Sequence, residues 1–344
     1  MRIREFALGI GAAALFGTAV MTYPTWAAND SSGCDRACLT GLAEKYLAAM
    51  LAHDPSKVPL AKNVRYSENN VELPLPDGLW RTVESIGVYR LVVADPKEGS
   101  VGFFVKAQEN GAAVLVGTRL KVVKGQITEI ESNVPRLTGT IGGGPSSAAR
   151  VDQLGDSPRK QFTTELPAGQ RHTRDQLAQI ANAYFTGLEN NTGDKPPPFA
   201  DDCMRLENGT QTSGVAVAPG GTPGPLNYNC KEAFGLGYYR EDTRLRNRRV
   251  VAIDEERGLV YAMVFFDHDA VIRSYKLKDG RTVNVRNTSP WAWGIHELFQ
   301  VDGNGKISQV EAVLLSVPYG MRPAFGTGVH LPSPQAARDG FKEY

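Results

Sequence analysis

Two short segments of this chain place acid, base and aromatic side chains at spacings that could move protons. In Arg205-Leu206-Glu207-Asn208 a carboxylate stands two residues from a guanidinium and next to an amide. In Phe265-Phe266-Asp267-His268-Asp269 the most apolar run of the chain ends on a histidine flanked by carboxylates. A carboxylate in an apolar cavity has its pKa raised and becomes a proton shuttle near neutral pH, and a histidine oriented by a carboxylate can act as a general base there. His296 and Glu297 follow close behind Trp291 and Trp293, whose rings could wall a ligand. Together these suggest His268 or Glu207 as acid/base and His296 as partner. Arg205, Asn208 or an inward Arg246 would steady a developing oxyanion, and the two tryptophans would line the substrate. Plainer roles compete with each: an Arg–Glu pair that ties helix to sheet, a histidine where a strand reaches water, tryptophans in packed core.

Other candidates carry less. Arg244, Arg246, Arg248 and Arg249, followed by Asp254-Glu255-Glu256-Arg257, suggest a charged hairpin of alternating solvated and inward positions. Residues 300–311 imitate a calcium loop but begin on Gln300 where the first Asp ligand belongs, and their flanks are strand-like, so no metal is expected. The chain contains no nucleotide-binding loop, zinc-helix motif or nucleophile elbow. Chemistry without a cofactor is therefore expected. Of the three pairings open to Cys34, Cys38, Cys203 and Cys230, locality favours Cys34 with Cys38 and Cys203 with Cys230. The second bridge would close a long Gly/Pro-rich loop and contribute about 3 kcal/mol by chain entropy. The first is the awkward one, because an i to i+4 spacing within a regular helix suits a disulfide poorly.

The elements that must position these residues occur twice. An amphipathic helix with Tyr46 (Leu42-Ala43-Glu44-Lys45-Tyr46) returns with Tyr184 (Ile180-Ala181-Asn182-Ala183-Tyr184). The strand start Arg65-Tyr66-Ser67-Glu68-Asn69 returns as Arg205-Leu206-Glu207-Asn208. The closing hairpin Gly125-Gln126-Ile127-Thr128-Glu129-Ile130-Glu131 returns as Gly305-Lys306-Ile307-Ser308-Gln309-Val310-Glu311. A period of this length denotes two homologous domains rather than a solenoid. Strands are expected over 101–105, 113–123 and 127–134, and again over 259–266, 295–301 and 307–317. On this alignment His296 and Glu297 replace Thr118 and Arg119, which assigns the polar site to the second copy alone. That copy also carries two insertions, 209–235 and 273–290.

Charge and termini bound the rest. Arg2 and Arg4 before an apolar stretch, with small residues at the cleavage positions, give residues 1–27 the layout of a secretory signal peptide. Without it the chain holds 36 basic and 36 acidic residues, a balance that argues against nucleic acid or an anionic membrane as partner. The expected organisation is a signal peptide at 1–27, domains at 34–136 and 172–318, a linker at 137–171 and a tail at 319–344 that wraps or frays. The mature protein would be secreted or periplasmic.

The tyrosine helix, the Glu-Asn strand and the Gly-x-Ile-x-x-(Ile/Val)-Glu hairpin resemble the nuclear transport factor two-like superfamily, which includes SnoaL-like and ketosteroid-isomerase-like proteins. The resemblance implies an α+β fold of two tandem cones, each a curved antiparallel sheet wrapped on N-terminal helices with a pocket at its wide end. It further implies pairing through the sheets, either as a monomer with a pseudo-twofold internal dimer or as a homodimer. The activity it implies is that of an exported, cofactor-independent isomerase, dehydratase or lyase. Such an enzyme would act by proton transfer on a small, largely apolar or aromatic molecule in the second cone. A non-catalytic module that binds a small molecule or a protein is the alternative, and a scaffold without a pocket a weaker third.

Overall fold

The structure, a computed structural model, describes residues 33–136 and 147–341. The expected signal peptide and residues 137–146 of the expected linker lie outside the described residues.

Helix α1 (Arg36–Leu51) starts where the Asp35 side chain accepts from the Cys38 amide, and it buries the stripe Leu39, Leu42, Ala43, Tyr46, Leu47 and Met50. It is followed by β1 (Leu60–Glu68), β2 (Val71–Leu73), α2 (Leu79–Thr82), β3 (Val83–Asp95), β4 (Ser100–Glu109), β5 (Ala112–Val123) and β6 (Gln126–Asn133). Two short helices, α3 (Ser147–Gln153) and α4 (Lys160–Thr163), lead to α5 (Arg174–Glu189), which Thr173 and Gln176 start with a capping box. Next come β7 (Phe199–Glu207), β8 (Thr210–Gln211), α6 (Cys230–Leu236), β9 (Arg244–Asp254) and β10 (Leu259–His268). A small hairpin of β11 (Ser274–Lys276) and β12 (Thr282–Asn284) precedes β13 (Trp291–Val301) and β14 (Ile307–Val317). The chain ends on β15 (Val329–His330) and α7 (Pro334–Arg338).

The α+β class follows, with two sheets traced by the same path. The first runs β2-β1-β6-β5-β4-β3, the second β8-β7-β14-β13-β10-β9 with β15 added at its edge. Neither is wholly antiparallel as expected, since β1 runs parallel to β6 and β7 to β14. Register shifts bend the long strands, and each sheet curls over its helix. Tyr46 and Leu47 thus meet Phe103 and Val116 in one core, and Tyr184 and Phe185 meet Phe266 and Phe299 in the other.

The outer faces of the two sheets share a third apolar cluster, in which Tyr89, Leu91 and Phe104 pack with Tyr261, Leu298 and Val313. Approach is close enough that a Cβ on Gly102 would lie 2.8 Å from the Tyr261 ring. Val151 of α3 and Phe162 of α4 are buried in the same cluster, so this part of the expected linker packs as structure. The tail wraps rather than frays, since Val329 and His330 pair with β9. The expected charged hairpin forms, with β9 turning at residues 255–258 into antiparallel β10, but its arginines do not alternate between solvent and interior: Arg246, Arg248 and Arg249 on β9 are all buried. Both local disulfides form, and Cys34 lies ahead of the α1 N-cap, outside the regular helix that made the first pairing awkward. Among the described residues no helix is long and apolar enough to cross a membrane.

Candidate functional site

A shared asparagine device fixes the register that relates the two halves. Asn69 accepts from the Val134 amide and donates to the Val134 carbonyl, and Asn208 does the same with Leu314. Both asparagines adopt positive φ, +54° and +48°, which Asn tolerates better than most side chains. Asn208 is therefore a backbone clamp that gives one of its two amide hydrogens to the Leu314 carbonyl. From this clamp, Glu207 takes the place of Glu68, as the sequence alignment has it, whereas Arg205 takes that of Tyr66 rather than Arg65. Through the pairs Arg119↔Glu131 and Leu298↔Glu311, Glu297 takes the place of Thr118 and His296 that of Gly117.

This shift by one separates His296 from His268. Strand neighbours point to opposite faces, so Glu297 looks into the second core while His296 faces the first sheet. There His296 Nδ1 lies 2.8 Å from the Tyr261 hydroxyl. Burial first, then the Arg249 and Arg119 guanidiniums, push its pKa down to about 3. It is a neutral interfacial residue and no partner to His268. Arg246 also lies away from the core: it donates to Asp267 Oδ2 at 2.8 Å and stacks over Phe265 and Phe341.

The remaining candidates converge inside the second half. Arg205, only 6 % exposed, has its Nε 3.1 Å from Glu207 Oε1, and its Nη2 donates to the Tyr239 hydroxyl at 2.6 Å. Glu207 is the outermost of the group, with a third of its side chain exposed. Glu297, 3 % exposed, lies close enough to Glu207, Arg205 and Asp242 to feel their charges. Burial, then the Glu207 charge, raises its pKa to about 8 against the opposing pull of Arg205 and a Tyr184 hydrogen bond. Its Oε2 has no hydrogen-bond partner among the described residues. His268 Nε2 lies 2.8 Å from Asp242 Oδ1, and the ring stacks on Trp291 at 4.1 Å and 9°. Burial works to lower the His268 pKa, but the hydrogen bond and charge of Asp242 outweigh it and the net shift is upward. Trp293 stands edge-on to Trp291 at 4.5 Å. A proton-holding carboxyl, an ion-paired carboxylate, a His–Asp pair and two indoles thus occupy one end of the core.

The two insertions hold this end together. Cys203–Cys230 ties α6 to β7, and the hydroxyl of Tyr275, on the β11–β12 hairpin, donates to Glu241 Oε2 at 2.7 Å. The Tyr239 amide donates to the same hydroxyl at 3.2 Å. Tyr239 has φ +72°, a strained conformation for a tyrosine, within the segment that also supplies Asp242. A separate surface groove of about 800 Å³ runs along Pro196–Pro198, Asp201 and Lys231, and no candidate residue lines it. The imitation calcium loop is a hairpin turn in which Asp302 Oδ1 accepts from the Asn304 and Lys306 amides. No group of three metal-ligating side chains occurs among the described residues.

Residues 33–134 and 170–314, most of the chain, match the family described as a domain of unknown function, DUF8021. The chain belongs to this family. No curated protein matches it. Solved structures that align with this DUF8021 chain include a de novo designed protein with a curved β-sheet, 18 % identical over 30 % of this chain and 89 % of its own, at TM-score 0.25. A candidate ketosteroid isomerase from Kribbella flavida is 17 % identical over 39 % of this chain and 93 % of its own, also at 0.25. AclR, a candidate hydroxylase from Streptomyces galilaeus, is 17 % identical over 29 % and 90 %, at 0.22.

Three members of this candidate site stand outside the constellation expected from sequence. Glu297 was visible only as the neighbour of His296, and the one-residue alignment error gave it no face. Asp242 and Tyr239 precede β9 in an irregular segment where no periodicity assigns a direction. A signal for Glu297 did exist: counting back from Glu311 across the hairpin turn puts it on the Tyr184 side.

Proposed function

We propose that the second half of this chain is an exported, cofactor-independent enzyme of isomerase, dehydratase or lyase type. It moves a proton on a small organic molecule with a largely apolar or aromatic body. This reading takes the halves as tandem cones of the nuclear transport factor two-like kind, packed sheet to sheet as an internal pseudo-dimer. The observation that carries it is Glu297, a buried carboxyl with one unpartnered oxygen and a pKa raised to about 8. At neutral pH such a group delivers a proton to a developing oxyanion or takes one back, at little energetic cost in either direction. Glu207, paired to Arg205, is the more exposed carboxylate and the candidate base. His268, held by Asp242 and backed by Trp291, orients the substrate or relays the proton. Export accords with the two disulfides.

Deuterium exchange into a panel of small enolisable ketones in D2O, followed by NMR, tests proton transfer whatever the net reaction. Wild type should speed exchange for at least one ketone, and Glu297→Gln and Glu207→Gln should each slow it by about 100-fold or more. If a ketone is held in the core while no member of the panel exchanges, the non-catalytic binding module is the correct reading.

A further inference from the structure

The two halves balance charge differently at matching positions. In the first, Arg136 follows β6 and lays its guanidinium between two nearly buried acids. Its Nη1 is 2.6 Å from Glu68 Oε1, its Nε 2.6 Å from Glu109 Oε2 and its Nη2 2.8 Å from Glu109 Oε1. The first half thus carries a cation of its own at this end of its core. The register carries Glu68 to Glu207 and, through the pairs Glu109↔Ala112 and His268↔Trp291, Glu109 to His268. Counting on from the Val134 and Leu314 clamps, Arg136 becomes Ser316, which is exposed and uncharged.

The second half therefore has no cation at the Arg136 position, its buried guanidinium being Arg205 at the place of Tyr66, and it holds more acid. Arg205 and His268 are matched by Glu207 and Asp242, whereas Glu241 and Glu297 have no ion-pair partner among the described residues. Glu241 accepts from Tyr275, and Glu297 keeps Oε2 open. On the same face of β13 as Glu297, Trp291 and Trp293 replace Ala112 and Val114; His268 covers one face of Trp291, and the two partly exposed indoles meet at 80°. Perpendicular indole faces next to carboxylates are the surroundings that hold organic cations.

We propose that the second core binds a small organic monocation, an ammonium or guanidinium on an apolar body, where the first half places the Arg136 guanidinium. Glu297 and Glu207 supply the counter-charge and the Trp291–Trp293 corner meets the apolar part. The proposal rests on the second half being the functional one and gives its substrate a charge. Glu297 faces Glu207 and Arg205 from β7, Asp242 from the segment before β9, and Tyr184 from α5. An arriving cation adds to the pull of Arg205 and drives the proton off. Affinity then rises by up to tenfold per pH unit toward about pH 8, and binding releases a proton.

Calorimetry on the mature chain with benzyltrimethylammonium, benzylamine and neutral benzyl alcohol tests this, in paired buffers of different ionisation enthalpy. Both cations should bind at least about tenfold tighter than the alcohol, release protons at pH 7, and gain affinity up to pH 8. Glu297→Gln should flatten that pH dependence, and Ser316→Arg, which supplies the first half's own cation, should block the site. The proposal is overturned if neither cation binds, if benzyl alcohol matches them, or if Glu297→Gln keeps the pH dependence. Cation binding with no ketone exchange would remove the proton-transfer reading and leave this one standing. Ketone exchange that neither cation inhibits would do the reverse.

Discussion

Glu297 and His296 sit side by side on β13 and face opposite ways, and burial moves each away from its charged form. The folded protein keeps a proton on Glu297 up to about pH 8, whereas an unfolded chain releases it near 4.5. The folded state therefore binds the extra proton, and stability falls as pH rises through that window. Burial raises Glu311 to about 7 in the same direction. Melting temperature should drop between pH 5 and 8. Glu297→Gln should flatten the drop, and a variant that melts with the wild-type slope would contradict the buried carboxyl. His296 has the opposite sign. With a folded pKa near 3 against 6.5, its contribution is present above 6.5 and is lost as pH falls toward 3. His296→Gln, which can still hydrogen-bond Tyr261 but cannot take up a proton, should lose less stability than wild type between pH 6 and 4, read by thermal melts.

At the scale of elements, the repeat made the paths of both sheets legible, because helix, Glu-Asn strand and closing hairpin recur in order. It did not fix the faces. Aligning on arginines matched Arg65 to Arg205, although Arg65 pairs with Glu72 at the surface and Tyr66 is the inward residue. In a period of two a one-residue slip reverses every side chain, and matching His296 to Thr118 rather than to Gly117 gives it the face of His268. His268 and Glu207 were placed in one site because each lies at a strand end whose apolar neighbours fix its side. The insertions were legible as loops but not as supports. Tyr275→Phe removes one hydroxyl and keeps the ring in its apolar cluster, where Leu277 is a neighbour. It should loosen the 239–242 segment and let the His268 pKa fall from its raised value, as followed by imidazole NMR. An unchanged titration would show that Asp242 needs no help from the hairpin. The asparagine clamps predict a matched pair of losses: Asn69→Ala and Asn208→Ala each strand a buried amide and carbonyl and should cost about 2 kcal/mol or more in denaturant titrations.

Across the whole molecule, the halves exchange ion pairs reciprocally. Arg36 opens α1 and grips Asp254 of β9 at 2.7 and 2.8 Å, while Arg174 opens α5 and grips Asp95 of β3 at 2.9 and 2.6 Å. Each helix of one half thus anchors to a strand end of the other. Burial separates the two energetically. The Arg36 side chain is 38 % exposed, whereas Arg174 and Asp95 are 8 % and 1 % exposed, and Asp95 also accepts from the Ile253 amide at 2.8 Å. Solvent screening should hold the Arg36–Asp254 coupling to about 1 kcal/mol or less. Asp95→Ala strands the Arg174 charge and a backbone amide, at a cost of about 3–5 kcal/mol. Because the interfacial cluster of Tyr89, Phe104, Tyr261 and Val313 belongs to both sheets, that loss should be felt by the chain as a unit. Scanning calorimetry of Asp95→Ala should show one transition displaced to lower temperature, with Arg36→Ala displaced much less. A split into two transitions, one unmoved, would mean that the halves fold independently and that their shared face adds little to stability.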